Sequence, residues 1–427
     1  MNNNEIYVSL DIGTSTVKVI IGEMVNDSLN IIGVGNVKSE GIRKGSIVDI
    51  DETVHSIKKA VEQAERMIGM NIDHVIVGIA ANHVMLQPSH GVVAVASENR
   101  EISDEDVARV MDAAQVISIA PEREIINVIP KQFIVDGLDE INDPRGMIGV
   151  RLEMEGTIVT GSKTSLHNTL RCVERAGLNI TEIVLQPLAA GAVCLSKDEL
   201  NLGAILVDIG GGSTTLAVFE NGNIRSTSVI PIGGDHITKD LSIVLRTSTE
   251  DAEKIKVKHG HAFRNDASED EVFSVPIIGS DQHQQFNQME IADIIEARME
   301  EVFDFVLQEL KRMNIYDLPG GIVLTGGTAN IPGVLELAQS VFQNRVRIAI
   351  PDYIGVREPQ YTTAIGLIKY AYRNARLQGR NVSAAPVQME HIEKRPVKKT
   401  QPKPKTEKQQ EEKISAKMKK FFGYFFE

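Results

Sequence analysis

The sequence predicts an α/β fold in which two related halves enclose a cleft. The first observation is a short motif that occurs twice, as DIGTST at residues 11–16 and as DIGGGST at residues 208–214, each between two apolar, strand-like runs. The second is that strand patterns alternate with amphipathic helical patterns. The third is a length of 427 residues with 42% hydrophobic residues, which is enough for more than one packed domain.

The spacing of apolar residues predicts the strands and helices of the first half. Strands are predicted over residues 5–12, 17–24 and 74–79. Helices are predicted over residues 51–67, whose inward face carries Val54, Ile57, Val61 and Ala64, and over residues 165–177, which end at a glycine. Residues 84–161 are predicted to be a small α+β insert. In it, a strand at 91–96 precedes a helix whose N-cap is Ser103, because three acidic residues follow that serine.

The second half begins at about residue 202, and its motif at 208–214 also joins two predicted strands. A charged helical region is predicted over 235–257, a polar surface excursion over 264–285, and a strand that enters a glycine turn over 321–327. The predicted helices are 290–313 and 363–374. Inward positions on the first of these are predicted to be Ile291, Ile294, Ile295, Val302 and Phe305.

Charge and composition narrow the class of protein. The formal net charge is −13, but residues 394–427 carry +7 and the remainder carries −20, so the acidic body argues against general nucleic-acid binding. Cys172 and Cys194 are predicted to be buried, reduced thiols. The N-terminus lacks the pattern of a signal peptide, and no apolar run reaches the roughly 20 residues that span a bilayer. We therefore expect a cytosolic protein.

The C-terminus predicts an amphipathic helix at a membrane surface. Residues 378–412 are rich in Pro, Lys, Gln and Glu, which predicts a disordered linker. After it, one helical stripe and its neighbouring lysines are expected to face an anionic membrane, and these are Ile414, Met418, Phe421, Phe422, Phe425, Lys417 and Lys420. A helix docked on the protein's own core and a partner-binding helix are the alternatives.

The repeated motif has the chemistry of a phosphate and metal site. Turn glycines allow the backbone to approach a ligand, and turn N–H groups bind phosphate oxygens. An aspartate at each strand end can hold a hydrated Mg²⁺, which keeps most of its waters. Two such turns facing each other would clamp a nucleoside triphosphate. Three further segments fall into order with the two turns. QPLAAG at 186–191 lies between them, and VLTGGTANIPG at 323–333 and TAIGLI at 363–368 follow them.

These five segments resemble the phosphate, connect and adenosine motifs of the actin-like ATPase superfamily. Within this superfamily, the chain resembles the FtsA family of bacterial cell-division proteins. The features that carry this resemblance are the insert, the acidic body, the tail, GIRKG at 41–45 and IEAR at 295–298. The resemblance implies an actin-like fold with the parts 1–83 and 162–200 (first core subdomain), 84–161 (insert), 201–229 and 322–377 (second core subdomain), 230–321 (outer subdomain), 378–412 (linker) and 413–427 (membrane helix).

The resemblance also implies roles for individual residues. Asp11 and Asp208 would hold Mg²⁺ through water, and Gln186 would orient the attacking water. The residues implied to contact the phosphates or the adenosine of ATP are Gly13, Thr14, Ser15, Lys18, Gly210, Gly211, Gly212, Ser213, Glu253, Lys256, Gly326, Gly327 and Thr328. Lys18 could instead be a surface strand lysine. Gln186 is an amide where several relatives carry an acid, a difference that concerns the rate of hydrolysis and not ATP binding. At most slow ATP hydrolysis is expected.

The implied function is that of an ATP-binding, polymer-forming adaptor at the cytoplasmic face of the membrane. It would bind the C-terminal tail of the tubulin-like protein FtsZ near Arg298 and Glu301, and its insert would contact other copies or later division proteins at the division site. A solvated, salt-bridging helix face is the alternative for these two residues. Alternative functions are pilus assembly, cell-shape maintenance and a small-molecule kinase.

Overall fold

The structure is a computed structural model that describes residues 5–280, 282–377 and 383. These residues form two compact units. The first comprises residues 5–88, 119–131 and 157–377, and the second comprises Ser89–Ser118 and Gln132–Gly156. Apart from residue 383, the predicted linker and the membrane helix lie outside the described residues.

The first half of the chain contains a five-stranded sheet. Its elements are β1 (Glu5–Ile12), β2 (Thr16–Val25), β3 (Ser28–Lys38), β4 (Ile42–Arg43), β5 (Ser46–Ile47), α1 (Ile50–Ile68), β6 (His74–Ile79), β7 (Met85–Ala94), α2 (Asp104–Ala113), β8 (Arg123–Val135), β9 (Leu138–Ile141), β10 (Arg151–Ser162), α3 (Lys163–Arg175), β11 (Asn179–Leu185), α4 (Gln186–Cys194) and α5 (Lys197–Leu202). The sheet order is β11-β6-β1-β2-β3. The strands β1, β2 and β3 are antiparallel neighbours, and β6 and β11 extend the sheet in parallel.

The second half repeats this arrangement. Its elements are β12 (Ala204–Ile209), β13 (Thr214–Glu220), β14 (Asn223–Ile230), α6 (Gly234–Val244), α7 (Thr249–His259), β15 (Val272–Pro276), β16 (His283–Asn287), α8 (Gln288–Arg312), β17 (Ile322–Thr325), α9 (Val334–Phe342), β18 (Val346–Ile348) and α10 (Thr362–Leu377). Its five-stranded sheet has the order β14-β13-β12-β17-β18. Numbered within each half, both sheets have the order 3-2-1-4-5, so the repeated motif marks a repeated sheet.

The closing helix of each half packs on the sheet of the other half. Helix α4 contacts β12 and β13, and α10 contacts β1 and β6. Residues of both sheets and both helices form one hydrophobic core. At the helix crossing, a Cβ on Gly366 would lie 1.9 Å from the carbonyl oxygen of Ala189, so only glycine allows this backbone contact.

A second core supports the outer part of the second half. It joins the sheet of that half to α6, α7, α8 and α9. On α8 the buried face includes Ile291, Ile295, Val302 and Phe303. Phe305 is 39% exposed, so its predicted inward position is wrong, because a step of 3.6 residues from Val302 brings Val306 inward instead.

The second compact unit is a small α+β structure. The sheet order that includes its strands is β7-β10-β8-β9. Ser103 caps α2 as predicted, and Ser103 and Asp106 form a reciprocal capping box. The nearly fully buried Asp106 also accepts a hydrogen bond from the amide of Ala96 and pairs with Arg109. These hydrogen bonds, against the opposing effect of burial, hold the pKa of Asp106 at about 2.

Two parts of the second half differ from the sequence predictions. The helical region predicted over 235–257 is two helices, because Arg246 adopts a positive φ of 54° and ends the first of them. The polar excursion predicted over 264–285 contains the antiparallel hairpin of β15 and β16. Across residues 5–280 and 282–377, no helix combines the length and apolar character needed to cross a bilayer.

Candidate functional site

The two copies of the motif form turns of the same kind. Asp11 lies near the end of β1 and Asp208 near the end of β12. In the first turn the amide of Gly13 donates to the carbonyl of Thr16 at 3.1 Å, and in the second the amide of Gly210 donates to the carbonyl of Ser213 at 3.0 Å. The turns are therefore structural equivalents, and each leaves its middle residues facing the cleft.

The side chains of the first turn explain the glycines of the second. A Cβ on Gly211 would lie 1.7 Å from Ser15 Oγ, and a Cβ on Gly212 would lie 2.6 Å from Thr14 Cγ2. At Gly211 and Gly212 the second turn can therefore offer only backbone groups, whereas the first turn offers the hydroxyls of Thr14 and Ser15. The amide of Gly45 fixes the Thr14 hydroxyl by donating to it at 3.0 Å.

The two aspartates form the acidic floor of the cleft, where Asp11 is buried and Asp208 is partly buried. The Asp11 carboxylate lies 3.8 Å from Lys18 Nζ, and it accepts a hydrogen bond of 2.8 Å from Gln186 Nε2. The Asp208 carboxylate accepts a hydrogen bond of 3.3 Å from Thr363. Lys18 is 7% exposed, so the alternative of a surface strand lysine is wrong.

Strand register makes this floor unequal on its two sides. In the antiparallel pair β1–β2, Asp11 lies opposite Lys18, whereas in β12–β13 Asp208 lies opposite Thr215. Burial raises the pKa of both carboxyls, and the neighbouring Asp11 helps to raise that of Asp208 to about 6. Two neighbouring carboxylates with raised pKa values and one lysine beside them fit a hydrated divalent cation, because such an ion would remove the repulsion between the carboxylates.

Besides the two turns and the floor, further residues of the second half line the cleft. Gly326 has a φ of +92°, and a Cβ there would lie 2.3 Å from Asp208 Oδ1, so this backbone approach requires glycine. Thr328 donates to the carbonyl of Gly210 at 3.0 Å. Lys256 is buried, and its Nζ donates to the carbonyl of Gly234, to Thr238 Oγ1 and to Glu253 Oε2 at 3.1, 2.8 and 2.7 Å.

Every residue predicted to contact the nucleotide or its metal lines one cavity of about 330 Å³. That volume is at the lower end of the range of small-molecule sites. The residues are Asp11, Gly13, Thr14, Ser15, Lys18, Gln186, Asp208, Gly210, Gly211, Gly212, Ser213, Glu253, Lys256, Gly326, Gly327 and Thr328.

The structure adds residues that the sequence reasoning missed. Asp235, in the first turn of α6, accepts a hydrogen bond of 3.1 Å from Ser15 Oγ across the cleft. Asn82, Gln360 and Thr363 also line the cavity. The Gly-Gly-Asp run that ends at Asp235 was a signal for this site, since glycines followed by a helix start are typical of phosphate-binding turns.

The predicted partner residues lie on α8 and do not line the cavity. Arg298 binds Asp240 of α6 through two hydrogen bonds, from Nε at 2.6 Å and from Nη2 at 3.0 Å. It also pairs with Glu301, one turn further along its own helix. The predicted membrane residues between Ile414 and Phe425 lie outside the described residues.

Comparison with protein families finds two matches. Residues 205–366 match the family "Cell division protein FtsA", and residues 81–160 match "SHS2 domain inserted in FTSA". The second match falls on the segment predicted to be an insert.

Individual relatives agree with the family matches. The chain is 66% identical over 382 residues to the cell division protein FtsA of Bacillus subtilis (strain 168), covering 90% of this chain and 87% of that protein. It is 40% identical over 440 residues to FtsA of Enterococcus faecalis, covering all of both chains, and 34% identical over 384 residues to FtsA of Escherichia coli K12, covering 86% and 90%.

Solved structures share the fold at low sequence identity. The PilM–PilN complex of type IV pilus biogenesis has a TM-score of 0.58 at 16% identity, covering 84% of this chain and 97% of that chain. MreB5 of Spiroplasma citri bound to ADP has a TM-score of 0.52 at 16% identity, covering 87% and 99%. The predicted fold, an actin-like ATPase fold with an α+β insert in its first half, is confirmed.

Proposed function

The chain belongs to the FtsA family of cell division proteins, and from this premise we propose that it is an ATP-binding adaptor that links FtsZ to the membrane. The observation that carries the proposal is the cleft between two equivalent turns, with Asp11, Asp208 and Lys18 at its floor. Family membership favours this function over pilus assembly, cell-shape maintenance or a small-molecule kinase.

The cleft has the groups that a magnesium-bound triphosphate requires. Asp11 and Asp208 would hold Mg²⁺ through its waters, and Lys18 would neutralise phosphate charge. Thr14, Ser15 and Ser213 would add hydroxyls. Gly211 and Gly212 would offer backbone N–H groups because no side chain fits there, whereas the amide of Gly210 already donates to the carbonyl of Ser213. Phosphoryl transfer depends mainly on such positioning and charge stabilisation.

The hydrolytic role proposed for Gln186 is limited by its chemistry. Its amide nitrogen donates to Asp11, which leaves the amide oxygen to accept a hydrogen bond from water. An amide orients a water but does not take its proton, so we propose slow hydrolysis and use of ATP as a conformational switch. Glu253 and Lys256 would contact the ribose or the base, and Gly326, Gly327 and Thr328 would lie beside the adenosine.

Asp208→Ala tests the nucleotide site by isothermal titration calorimetry with Mg-ATP. We expect binding to be lost, because the variant removes one of the two carboxylates at the floor. Asp304→Ala is the matched control, since Asp304 is exposed on α8 and does not line the cavity. Unchanged affinity in Asp208→Ala would remove the site assignment.

The tail supplies the proposed membrane link. Four of the twelve phenylalanines lie in the last seven residues, next to lysines. Each buried phenylalanine contributes roughly 1.5–3 kcal/mol and each lysine near anionic lipid about 1 kcal/mol. Binding of single copies would be reversible, and polymerisation would strengthen it through effective concentration.

Co-sedimentation with anionic liposomes tests the link, with the full chain and a chain that ends at Glu412. We expect the full chain to pellet with the vesicles and the shorter chain to stay in the supernatant. The same experiment with and without Mg-ATP shows whether nucleotide affects lipid binding. If the shorter chain pellets as well as the full chain, the tether proposal fails.

The proposed partners are the FtsZ C-terminal tail near Arg298 and Glu301, further copies of this chain, and later division proteins at the insert. Arg298 suits an acidic peptide, because it already binds one carboxylate through two parallel hydrogen bonds. The proposed location is the cytoplasmic face of the membrane at the division site.

A further inference from the structure

We propose that helix α6 couples the nucleotide cleft to Arg298, and that Asp240 withholds Arg298 from an acidic partner until an ATP γ-phosphate enters the cleft. The inference rests on the proposed function for its nucleotide and its partner. It adds a device that regulates the partner site, and it assigns a role to Asp235 and Asp240.

The first turn of α6 is bonded to both turns of the cleft. The amide of Gly234 donates to the carbonyl of Gly210 at 3.0 Å, and the amide of Asp235 donates to the carbonyl of Gly211 at 2.8 Å. From the other half, Ser15 Oγ donates to the Asp235 carboxylate at 3.1 Å. A change in either turn therefore reaches the start of α6 directly.

The body of α6 is built to move as one piece. Ile237 and Leu241 are fully buried in the second core. Thr238 Oγ1 donates to the carbonyl of Gly234 at 3.1 Å, and Lys256 of α7 donates to both of these residues. The hydrogen-bonded first turn therefore transmits a displacement along the helix instead of absorbing it by fraying.

The second turn of α6 holds Arg298. Asp240 lies five residues after Asp235, about 7.5 Å along the helix axis. Its two carboxylate oxygens bind Nε and Nη2 of Arg298, and both side chains are only about one quarter exposed, at 27% for Arg298 and 25% for Asp240. A two-bond fork of this kind is geometrically specific, so a small shift of α6 weakens it.

Charge gives the direction of the effect. The Ser15 hydroxyl that now donates to Asp235 is one of the groups proposed to bind phosphate. A γ-phosphate would compete for that hydroxyl, and its negative charge would repel the exposed Asp235 carboxylate. Helix α6 would then move away from the turn, the fork at Asp240 would open, and Arg298 would be available to an acidic segment of the partner. ADP has no γ-phosphate, so it would leave the fork between Asp240 and Arg298 closed.

The experiment measures binding of a synthetic FtsZ C-terminal peptide to the full chain, with and without AMPPNP and Mg²⁺. In the wild-type chain we expect the analogue to tighten peptide binding by about 5-fold or more, the lower limit of typical allosteric coupling. Asp240→Asn should bind the peptide tightly without nucleotide, and its response to the analogue should fall to about 2-fold or less. Lys239→Gln, at an exposed neighbouring position on α6, should keep the wild-type response.

A second measurement needs no partner. Opening the fork costs free energy in the wild-type chain, so Asp240→Asn should bind AMPPNP about 5-fold more tightly than wild type does. The ADP affinity of Asp240→Asn should equal that of wild type, and Lys239→Gln should bind both nucleotides as wild type does.

If wild type binds the analogue and Asp240→Asn binds it no better, the coupling is overturned, whether or not the peptide binds. If wild type binds the analogue but no peptide, the proposed partner fails and the coupling is judged on nucleotide affinity alone. If wild type does not bind the analogue, the proposed function itself fails.

Discussion

Replacing Asp208 by asparagine should stabilise the unliganded protein while removing its Mg-ATP binding. Asp208 is a partly buried carboxylate whose pKa is raised first by desolvation and then by the charge of Asp11. Asparagine has nearly the same shape, and its amide oxygen can still accept the hydrogen bond from Thr363. The substitution therefore removes the unfavourable charge with little change in packing.

The magnitude follows from the pKa of Asp208, which is raised from 3.8 to about 6. Each pKa unit corresponds to about 1.4 kcal/mol, so above pH 6 the charge costs about 3 kcal/mol of folding stability. Because the folded pKa is the higher one, the folded state binds the proton more tightly. The protonated form therefore stabilises the fold fully below about pH 4, and that stabilisation is lost as the pH rises through about 6.

Urea denaturation of wild type and Asp208→Asn at several pH values measures this effect. At pH 7.5 the variant should be more stable by about 3 kcal/mol, and the difference should shrink as the pH falls from 6 towards 4. Asp304→Asn is the control, and we expect it to change stability by less than about 0.5 kcal/mol because its side chain is exposed. Mg-ATP should raise the unfolding temperature of wild type and of the control, but not that of Asp208→Asn.

Two results would refute the reasoning. If Asp208→Asn is less stable than wild type at pH 7.5, the carboxylate contributes more through local hydrogen bonds than it costs through its charge. If the variant is more stable by the same amount at every pH, the gain comes from packing and not from ionisation.

Three other predictions test the core of the first compact unit. Lys18→Met should cost about 3–5 kcal/mol in chemical denaturation, because it leaves the carboxylate it pairs with buried and without its cation, and a stability equal to wild type would contradict the ion pair. Gly366→Ala should cost about 1–3 kcal/mol, since its Cβ would meet the carbonyl of Ala189 at 1.9 Å; an unchanged unfolding temperature would argue against this close crossing. Cys172 and Cys194 are buried, which raises their pKa values to about 11 and about 12. Both thiols should therefore resist a thiol reagent at pH 8 until denaturant is added, and rapid modification of the native protein would disprove their burial.

The sequence predicted those parts of the fold in which local pattern and local energy agree. The strand at 74–79 matches β6, and the cap at Ser103 opens α2 as expected, because each depends on neighbouring residues alone. Strand β3 was not predicted, since Gly33 and Gly35 interrupt its apolar alternation. In the structure a Cβ on Gly35 would lie 2.0 Å from the carbonyl of Ala60, so that glycine lets α1 lie against the strand.

Long-range contacts limited what could be predicted about the site. The residues of the two Asp-Ile-Gly turns and of the turn at 326–328 were found because the chemistry of glycine-rich turns is local. Gln186, Glu253 and Lys256 were found only through the family resemblance. Asp235 was missed because its link to Ser15 joins residues 220 positions apart. Asp240 was missed for the same reason, since its carboxylate gains significance only where α8 brings Arg298 beside it. Sequence patterns alone do not reveal such pairings.

The exchange of closing helices between the halves has a consequence for the history of this fold. Helix α10 packs on the sheet of the first half, and α4 contacts the sheets of both halves, so a chain consisting of one half would expose part of the core that the two halves share. An ancestral half would therefore have gained stability as a two-fold symmetric dimer that buried this shared surface. Gene fusion would have made that association permanent and allowed the two turns to diverge, one towards hydroxyls and the other towards glycines. Separately expressed halves, 1–200 and 201–377, should accordingly fold only when they are mixed.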